Sequence, residues 1–278
     1  MALSSLLNYI DADDFRCDQK RIRHINHIKF ALIQDSPGSG IRGPYLQKLR
    51  EFDPDIIAFP EYYFVGPPFI NVTSSYVIHD ETLERLQNWS RELGCIIVGG
   101  TLVADEGGRK FNRCYIFDRG RTVGHYDKIH LFRGEGQGLL SPGTEYRVFE
   151  IGSIRIGLLI CADALFPDSF RNIRGLKPDL LFIPNTSRFR EGESVETKFK
   201  RDMGIFAAGA SAADTIVIKV SASGILTGRR LQGRSLIAFP GSVEWRIEPH
   251  NEDKSALALA TSSGEKTNPS LDITVYRP

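Results

Sequence analysis

No excess of either charge marks this 278-residue sequence: 35 lysines and arginines stand against 34 aspartates and glutamates, a formal net charge of +1. A nucleic acid or an acidic membrane surface ordinarily selects a clear basic surplus, so neither is expected as a partner. No apolar run approaches the roughly 20 residues of a membrane-spanning helix. The opening Met1-Ala-Leu-Ser-Ser-Leu-Leu-Asn8 lacks a positively charged segment and a small-residue cleavage site, so no secretory signal is read there. Cysteine is sparse. Cys17, Cys95, Cys114 and Cys161 form no CxxC pair, which argues against a zinc site and a disulfide framework and makes a reducing cytoplasm the expected setting. No linker rich in glycine, serine or proline divides the chain, so a single domain with one substantial core is expected.

What is present is a succession of apolar runs that stop at polar residues. Residues 3–14 have Leu3, Leu6, Leu7 and Ile10 at helical spacing, and the basic stretch Arg16 to Lys29 follows. In that stretch His24 and His27 have no further ligands nearby, and a solvated face or partner contact is read. Residues 1–28 are therefore taken as an N-terminal extension, 29–250 as the main domain, and 251–278 as a polar tail with one strand over Leu271 to Tyr276. Lys29 to Gln34 and Pro54 to Pro60 read as buried strands, the second ending at Glu61. A helix capped by Asp80 and stopped by Gly94 has Leu83, Leu86 and Leu93 on one face. Three strand-like runs follow, Cys95 to Ala104, Lys110 to Asp118 and Thr122 to Phe132, joined by hairpin turns. Tyr146 to Glu150 and Ser153 to Ile160 make another hairpin. A helix from about Ser194 to Ser211, a strand from Thr215 to Ser221 and a hairpin around Pro240-Gly241 complete the domain.

The chain is organised around Arg155-Ile-Gly-Leu-Leu-Ile-Cys161-Ala-Asp163, an apolar strand that ends at a cysteine. Pro167 is suited to the first turn of a helix, which places Cys161 in a strand-to-helix turn rich in backbone N–H groups. Such a setting lowers a thiol pKa and supplies donors for an oxyanion; the plain alternative is a packed structural thiol. The two halves also repeat. Arg155 to Ile160 parallels Lys29 to Gln34, and Pro178-Asp-Leu-Leu-Phe-Ile-Pro184-Asn185 parallels Pro54-Asp-Ile-Ile-Ala-Phe-Pro60-Glu61. A pseudo-symmetric pair of sheets is expected, with Glu61, Cys161 and Asn185 all at strand ends.

A cysteine nucleophile needs a base for its proton and a positive group for the charge that moves onto the substrate. No histidine stands at an obvious spacing from Cys161, which leaves a carboxylate and a lysine. His125 and His130 are read as structural. Glu61 in Phe59-Pro-Glu61, Lys128 in Tyr126-Asp-Lys-Ile-His-Leu-Phe132 and Cys161 in Leu159-Ile-Cys-Ala-Asp163, in that order, resemble the Glu–Lys–Cys triad of the nitrilase superfamily of carbon–nitrogen hydrolases.

The resemblance runs from about Lys29 to Trp245. It implies an α/β fold, a four-layer α-β-β-α sandwich that dimerises through its helical layers, with no metal and no organic cofactor. It also implies roles. Cys161 attacks the substrate carbon, Glu61 carries its proton to the departing amine and later activates water, and Lys128 with the Ala162 N–H holds the oxyanion. Glu135 is the candidate for the second glutamate found in many members. Nitrile-cleaving members typically follow the cysteine with tryptophan and glutamate; Ala162-Asp163 is closer to the amidases and carbamoylases. Tyr62, Tyr63, Phe166 and the Asn185-Thr-Ser loop are the expected walls, and Arg188 and Arg190 are read as surface arginines. The expected substrate is a small linear amide or carbamoyl compound. A nitrilase or an acyltransferase with the same triad, or a non-catalytic scaffold of the same fold, are the alternatives.

Overall fold

Alternation along the strands decides the layers. In β1 (Ile28–Gln34), Phe30 and Leu32 enter one apolar core while Ala31 and Ile33 enter another, as a period of two requires of a strand covered on both faces. The computed structural model describes residues 27–132, 135, 138–263 and 270–277; the helix expected over residues 3–14, most of the basic stretch after it, His24 and Cys17 lie outside these.

One sheet contains β1, β2 (Ile56–Ala58), β3 (Ile96–Val98), β4 (Leu102–Glu106), β5 (Arg109–Asp118) and β6 (Arg121–Asp127). The other contains β7 (Val148–Ile151), β8 (Ile154–Leu158), β9 (Leu180–Asn185) and β10 (Ile216–Ser221). A two-residue hairpin, β11 (Ile225–Leu226) and β12 (Arg229–Arg230), stands apart, and β13 (Leu236–Phe239) and β14 (Ser242–Arg246) complete the second sheet. β15 (Ala256–Ser263) and β16 (Ser270–Tyr276) return to the first, giving the orders β16-β15-β1-β2-β3-β5-β4, with β6 also on β5, and β14-β13-β10-β9-β8-β7. Phe30, Leu32, Ala58 and Val98 meet Leu158, Phe182 and Ile218 in the core between the sheets. Helices α1 (Gly43–Phe52) and α2 (His79–Glu92) cover the outer face of the first sheet through Tyr45, Leu49 and Leu86. Helices α3 (Pro167–Gly175), α4 (Val195–Asp202) and α5 (Ala208–Ala213) cover the second. The architecture is the α-β-β-α sandwich. Among the described residues no helix is long and apolar enough to cross a membrane.

The repeated Pro-Asp pairs do the same work in each half. Asp55 accepts the Lys29 N–H on its carboxylate at 2.9 Å and returns its own N–H to Lys29 O at 2.8 Å. Asp179 does the same with Arg155, at 2.8 and 2.7 Å. These clips set the parallel pairs β1–β2 and β8–β9, so the strand ends of both halves arrive at one edge.

Four expectations are corrected. Residues 251–278 are no tail with one strand: β15 lies inside the first sheet, antiparallel to β1 along its whole length. Ala256-Leu-Ala-Leu-Ala260 is rich in alanine, a weak strand former, and its partner is at the other end of the chain. The run Cys95 to Ala104 breaks at Gly99-Gly100, and Thr122 to Phe132 is a strand only to Asp127. Asp80 lies in the first turn of α2 and makes no cap; Ile78 precedes the helix.

Candidate active site

Each break in the strands holds a functional side chain. Gly100 adopts φ +64°, and a Cβ there would stand 2.2 Å from Pro60 O. The chain thus presses against the loop of Glu61, and Thr101 Oγ1 accepts the Tyr62 N–H at 3.0 Å. Gly100→Ala is expected to destabilise the fold by about 2 kcal/mol or more, through the positive φ and the overpacking, and to displace Glu61. Thermal unfolding and turnover, measured together, should both fall. Lys128 follows β6 directly. Its N–H donates to Asn112 O at 2.9 Å and its carbonyl accepts from Gly143 N at 2.8 Å, so both sides of its backbone are held.

The Lys128 side chain is buried and its ammonium donates to Glu61 Oε1 at 2.8 Å and to Glu135 Oε2 at 2.7 Å. Asn112 Nδ2 donates to both glutamates at 2.9 Å. Glu135 further accepts from the Tyr62 hydroxyl at 2.5 Å and the Phe132 N–H at 2.9 Å. Burial by itself would push the ammonium of Lys128 down, but Glu61, the Cys161 sulfur and Glu135 outweigh it and hold it above the usual lysine range. Burial would likewise raise Glu135; Lys128 and the hydrogen bonds bring it below the usual glutamate value. Among the described residues, the site holds one fixed cation between two buried carboxyl groups.

Cys161 opens a tight helical turn over Cys161–Leu165 with φ +44°, a left-handed conformation that a residue with a Cβ adopts at a cost. Asp163 stabilises it. The fully buried carboxylate accepts from Ile160 N at 2.9 Å and Tyr126 OH at 2.8 Å on one oxygen. On the other it accepts from His130 N at 2.7 Å, with His130 Nδ1 at 3.1 Å. Tyr126 and His130 flank Lys128, so one carboxylate ties the cysteine turn to the lysine segment. Thr186 closes the circle: its carbonyl accepts from Cys161 Sγ at 3.3 Å, while its N–H, at 3.1 Å, and its hydroxyl donate to Glu61 Oε2. Burial and the negative charge of Glu61 push the Cys161 thiol up, with Lys128 opposing them. The expected lowering by a helix terminus is therefore overturned: the turn is desolvated, and burial with the Glu61 charge outweighs Lys128.

A family model described as carbon-nitrogen hydrolase matches residues 44–241. The chain belongs to the carbon-nitrogen hydrolase family. A protein named nitrilase from Pyrococcus abyssi is 28% identical over 216 residues, covering 73% of this chain and 75% of that one. An omega-amidase from Xenopus tropicalis is 32% identical over 124 residues, 41% of this chain and 45% of its own. An N-carbamoylputrescine amidase from Solanum tuberosum is 30% identical over 134 residues, 45% of this chain and 44% of its own. Among solved structures, a carbon-nitrogen hydrolase from Helicobacter pylori superposes with a TM-score of 0.72 at 17% identity, covering 86% of this chain and 90% of that one. An amidase from Nesterenkonia sp. AN1, with the acetamide moiety of fluoroacetamide added to its active-site cysteine, gives 0.68 at 18% identity, covering 92% of each. This carbon-nitrogen hydrolase thus shares the sandwich fold of those proteins, and its enzyme class is the one its motifs imply.

Of the residues singled out from sequence, the hydrolase brings Glu61, Tyr62, Lys128, Glu135 and Cys161 into one network, with Ala162 buried beside Cys161. Phe166 lies at the surface, stacked on His130 with ring centroids 3.8 Å apart. Asn185 does not reach the glutamates; its Oδ1 accepts from Ser187 and Ser221 hydroxyls. Tyr63 is no wall: it is buried against Phe59 and Phe64, and its hydroxyl donates to Gly40 O at 2.7 Å. Arg190 stands 3.8 Å from Glu193 at the surface. Asn112 was not foreseen, and Thr186 was expected only as part of a wall, not as the partner of Glu61 and Cys161. Asn112, a polar residue inside the buried stretch of β5, gave the one available signal.

Proposed function

We propose that this hydrolase cleaves the terminal C–N bond of a small linear amide or carbamoyl compound through a thioester on Cys161. The observation that carries the reading is the Thr186 bridge, which joins the Cys161 thiol to Glu61 while Lys128 joins Glu61 to Glu135. Because the resting thiol is held up, it is not a standing thiolate, and the reaction needs a base at hand. Glu61 takes the thiol proton as sulfur attacks the carbonyl carbon. The oxyanion forms against Lys128 and the Ala162 N–H, and Glu61 returns the proton to the departing ammonia or amine. Water, deprotonated by Glu61, then cleaves the thioester and frees the acid and the thiol. Glu135 keeps Lys128 oriented throughout. The omega-amidase and carbamoylputrescine amidase relatives support this substrate class.

Ammonia release from a panel of small amides, ureido acids and nitriles tests the reading. Wild type is expected to release ammonia from an amide or ureido compound, and Cys161→Ala from none. Equal release by both proteins removes Cys161 from the reaction, and a preference for nitriles overturns the substrate class.

A further inference from the structure

The doubled sequence pattern sets a hydroxyl at the same step in each half. Glu61 closes Pro54-Asp-Ile-Ile-Ala-Phe-Pro60 and is followed by Tyr62; Asn185 closes Pro178-Asp-Leu-Leu-Phe-Ile-Pro184 and is followed by Thr186. The Tyr62 hydroxyl donates to Glu135, and the Thr186 hydroxyl donates to Glu61. Each glutamate thereby has four donors among the described residues, which fills the acceptor positions of a carboxylate. Glu135 takes Tyr62 and Asn112 on Oε1, and Lys128 and the Phe132 N–H on Oε2. Glu61 takes Lys128, at 2.8 Å, and Asn112, at 2.9 Å, on Oε1. Both donors to its Oε2 come from Thr186, the N–H at 3.1 Å and the hydroxyl.

A base with no open position receives a proton only when a donor leaves. Three of the four donors to Glu61 are held in place. The Lys128 ammonium and the Asn112 amide are each bonded to Glu135 as well. The Thr186 N–H belongs to backbone pinned on both sides, where Asn185 O accepts from Ala222 N at 3.2 Å and Ser187 O from Gln232 N at 2.8 Å. The Thr186 hydroxyl turns about a single bond. It belongs, moreover, to the residue on which the nucleophile rests, since Thr186 O accepts from Cys161 Sγ at 3.3 Å.

We infer that Thr186 is a positioning residue whose hydroxyl fills the one acceptor position of Glu61 that can be vacated, and so sets how readily Glu61 takes the Cys161 proton. The inference rests on Cys161 as nucleophile and Glu61 as its base. As the S–H bond breaks and an Oε2–H bond forms, the hydroxyl turns its own hydrogen away and can accept from the new acid. A hydroxyl bonds the anion more strongly than the acid, so on balance it favours the carboxylate. Cys161 and Glu61 hold that one proton as a pair. Without the hydroxyl, more of the proton resides on Glu61 and more of the sulfur is thiolate. Lys128, Glu135 and Tyr62 also surround Glu61, and removing the hydroxyl leaves all three in place.

Alkylation of Cys161 by iodoacetamide, followed at that peptide by mass spectrometry between about pH 4 and 8, reads the thiolate and requires no turnover. Thr186→Val keeps the volume and removes the hydroxyl; Thr186→Ser keeps the hydroxyl and opens space. Thr186→Val is expected to react roughly three- to tenfold faster than wild type near pH 7, the size of one charge-assisted hydrogen bond less the weaker bond to the acid. The ratio should approach one at the acid end, where both members of the pair hold protons in either protein. Thr186→Ser should react as wild type does. With an amide that is turned over, the acid limb of kcat/KM should move up by about 0.5–1 pH unit in the valine variant and return with serine. A valine variant no faster than wild type overturns the inference. A serine variant as fast as the valine one, or a valine ratio equal at every pH, makes the effect one of access and overturns it too. If Thr186→Val does not fold, Thr186→Ala takes its place in the comparison with serine. Cys161→Ala and Glu61→Gln in the ammonia assay test the underlying reading separately.

Discussion

Lys128→Met is expected to abolish turnover and to destabilise the fold more than any other single change in the site. Lys128 is the one ammonium between Glu61 and Glu135, at 2.8 and 2.7 Å, and all three are buried. Its removal leaves two carboxylates facing one another, a change of roughly 3–5 kcal/mol for a broken buried pair. The loss of a charged donor to the oxyanion should lower the rate by a factor of about 10²–10³ or more. The pH dependence separates this from a simple packing defect. Without Lys128, one carboxyl group in the folded protein takes up a proton more readily than in the unfolded chain. A raised folded pKa gives stability at low pH that is lost as the pH increases. Urea unfolding at pH 5 and pH 8 should therefore show the variant's deficit growing with pH. A deficit equal at both values would mean that the carboxylates find other partners.

Asp163→Asn should be nearly as damaging, although the residue touches no reacting atom in the proposed mechanism. Its two oxygens accept the Ile160 and His130 N–H groups, the Tyr126 hydroxyl and the approach of His130 Nδ1. An asparagine keeps one acceptor oxygen and turns an NH₂ toward donors on the other side. The tyrosine hydroxyl can rotate to accept; a backbone N–H cannot. An unsatisfied buried donor costs about 1–3 kcal/mol, and the released turn no longer holds Cys161 at its left-handed φ. A displacement of the nucleophile by about 1 Å corresponds to roughly a hundredfold loss of rate. Thermal unfolding and single-turnover ammonia release measure the two effects. Unchanged turnover in a destabilised variant would confine Asp163 to folding.

Glu61 and Cys161 were legible because each ends a run of apolar residues, where a strand stops and a charged or reactive side chain has no packing role; Lys128 follows the polar end of β6 and was legible only through its motif. The doubled Pro-Asp pattern at Asp55 and Asp179 was legible for a similar reason: the same local clip recurs in sequence. Thr186 and Asn112 belong to a different class. A threonine after a strand and an asparagine within one are commonplace, and only the packing of β5 and β9 against the glutamates gives them their bonds. Lys219 was not singled out within the strand Thr215 to Ser221, and the charges that cluster beside it, Asp202, Arg234 and Arg246, come from three separate segments that no local pattern brings together. β15 was hidden by its composition, since alternating alanine and leucine favours a helix as readily as a strand.

The position of β15 sets the order in which the molecule can be completed. The first sheet begins with β1 near the start of the chain, yet the strand that covers the edge of β1 is made of residues 256–263. During synthesis the second sheet has all its strands once Arg246 has emerged, whereas β1 still shows a row of unpaired backbone groups. The earliest sheet is the last to close. A chain that stalls or is clipped before residue 256 therefore presents an open strand edge beside an apolar surface, ready to pair with another such chain.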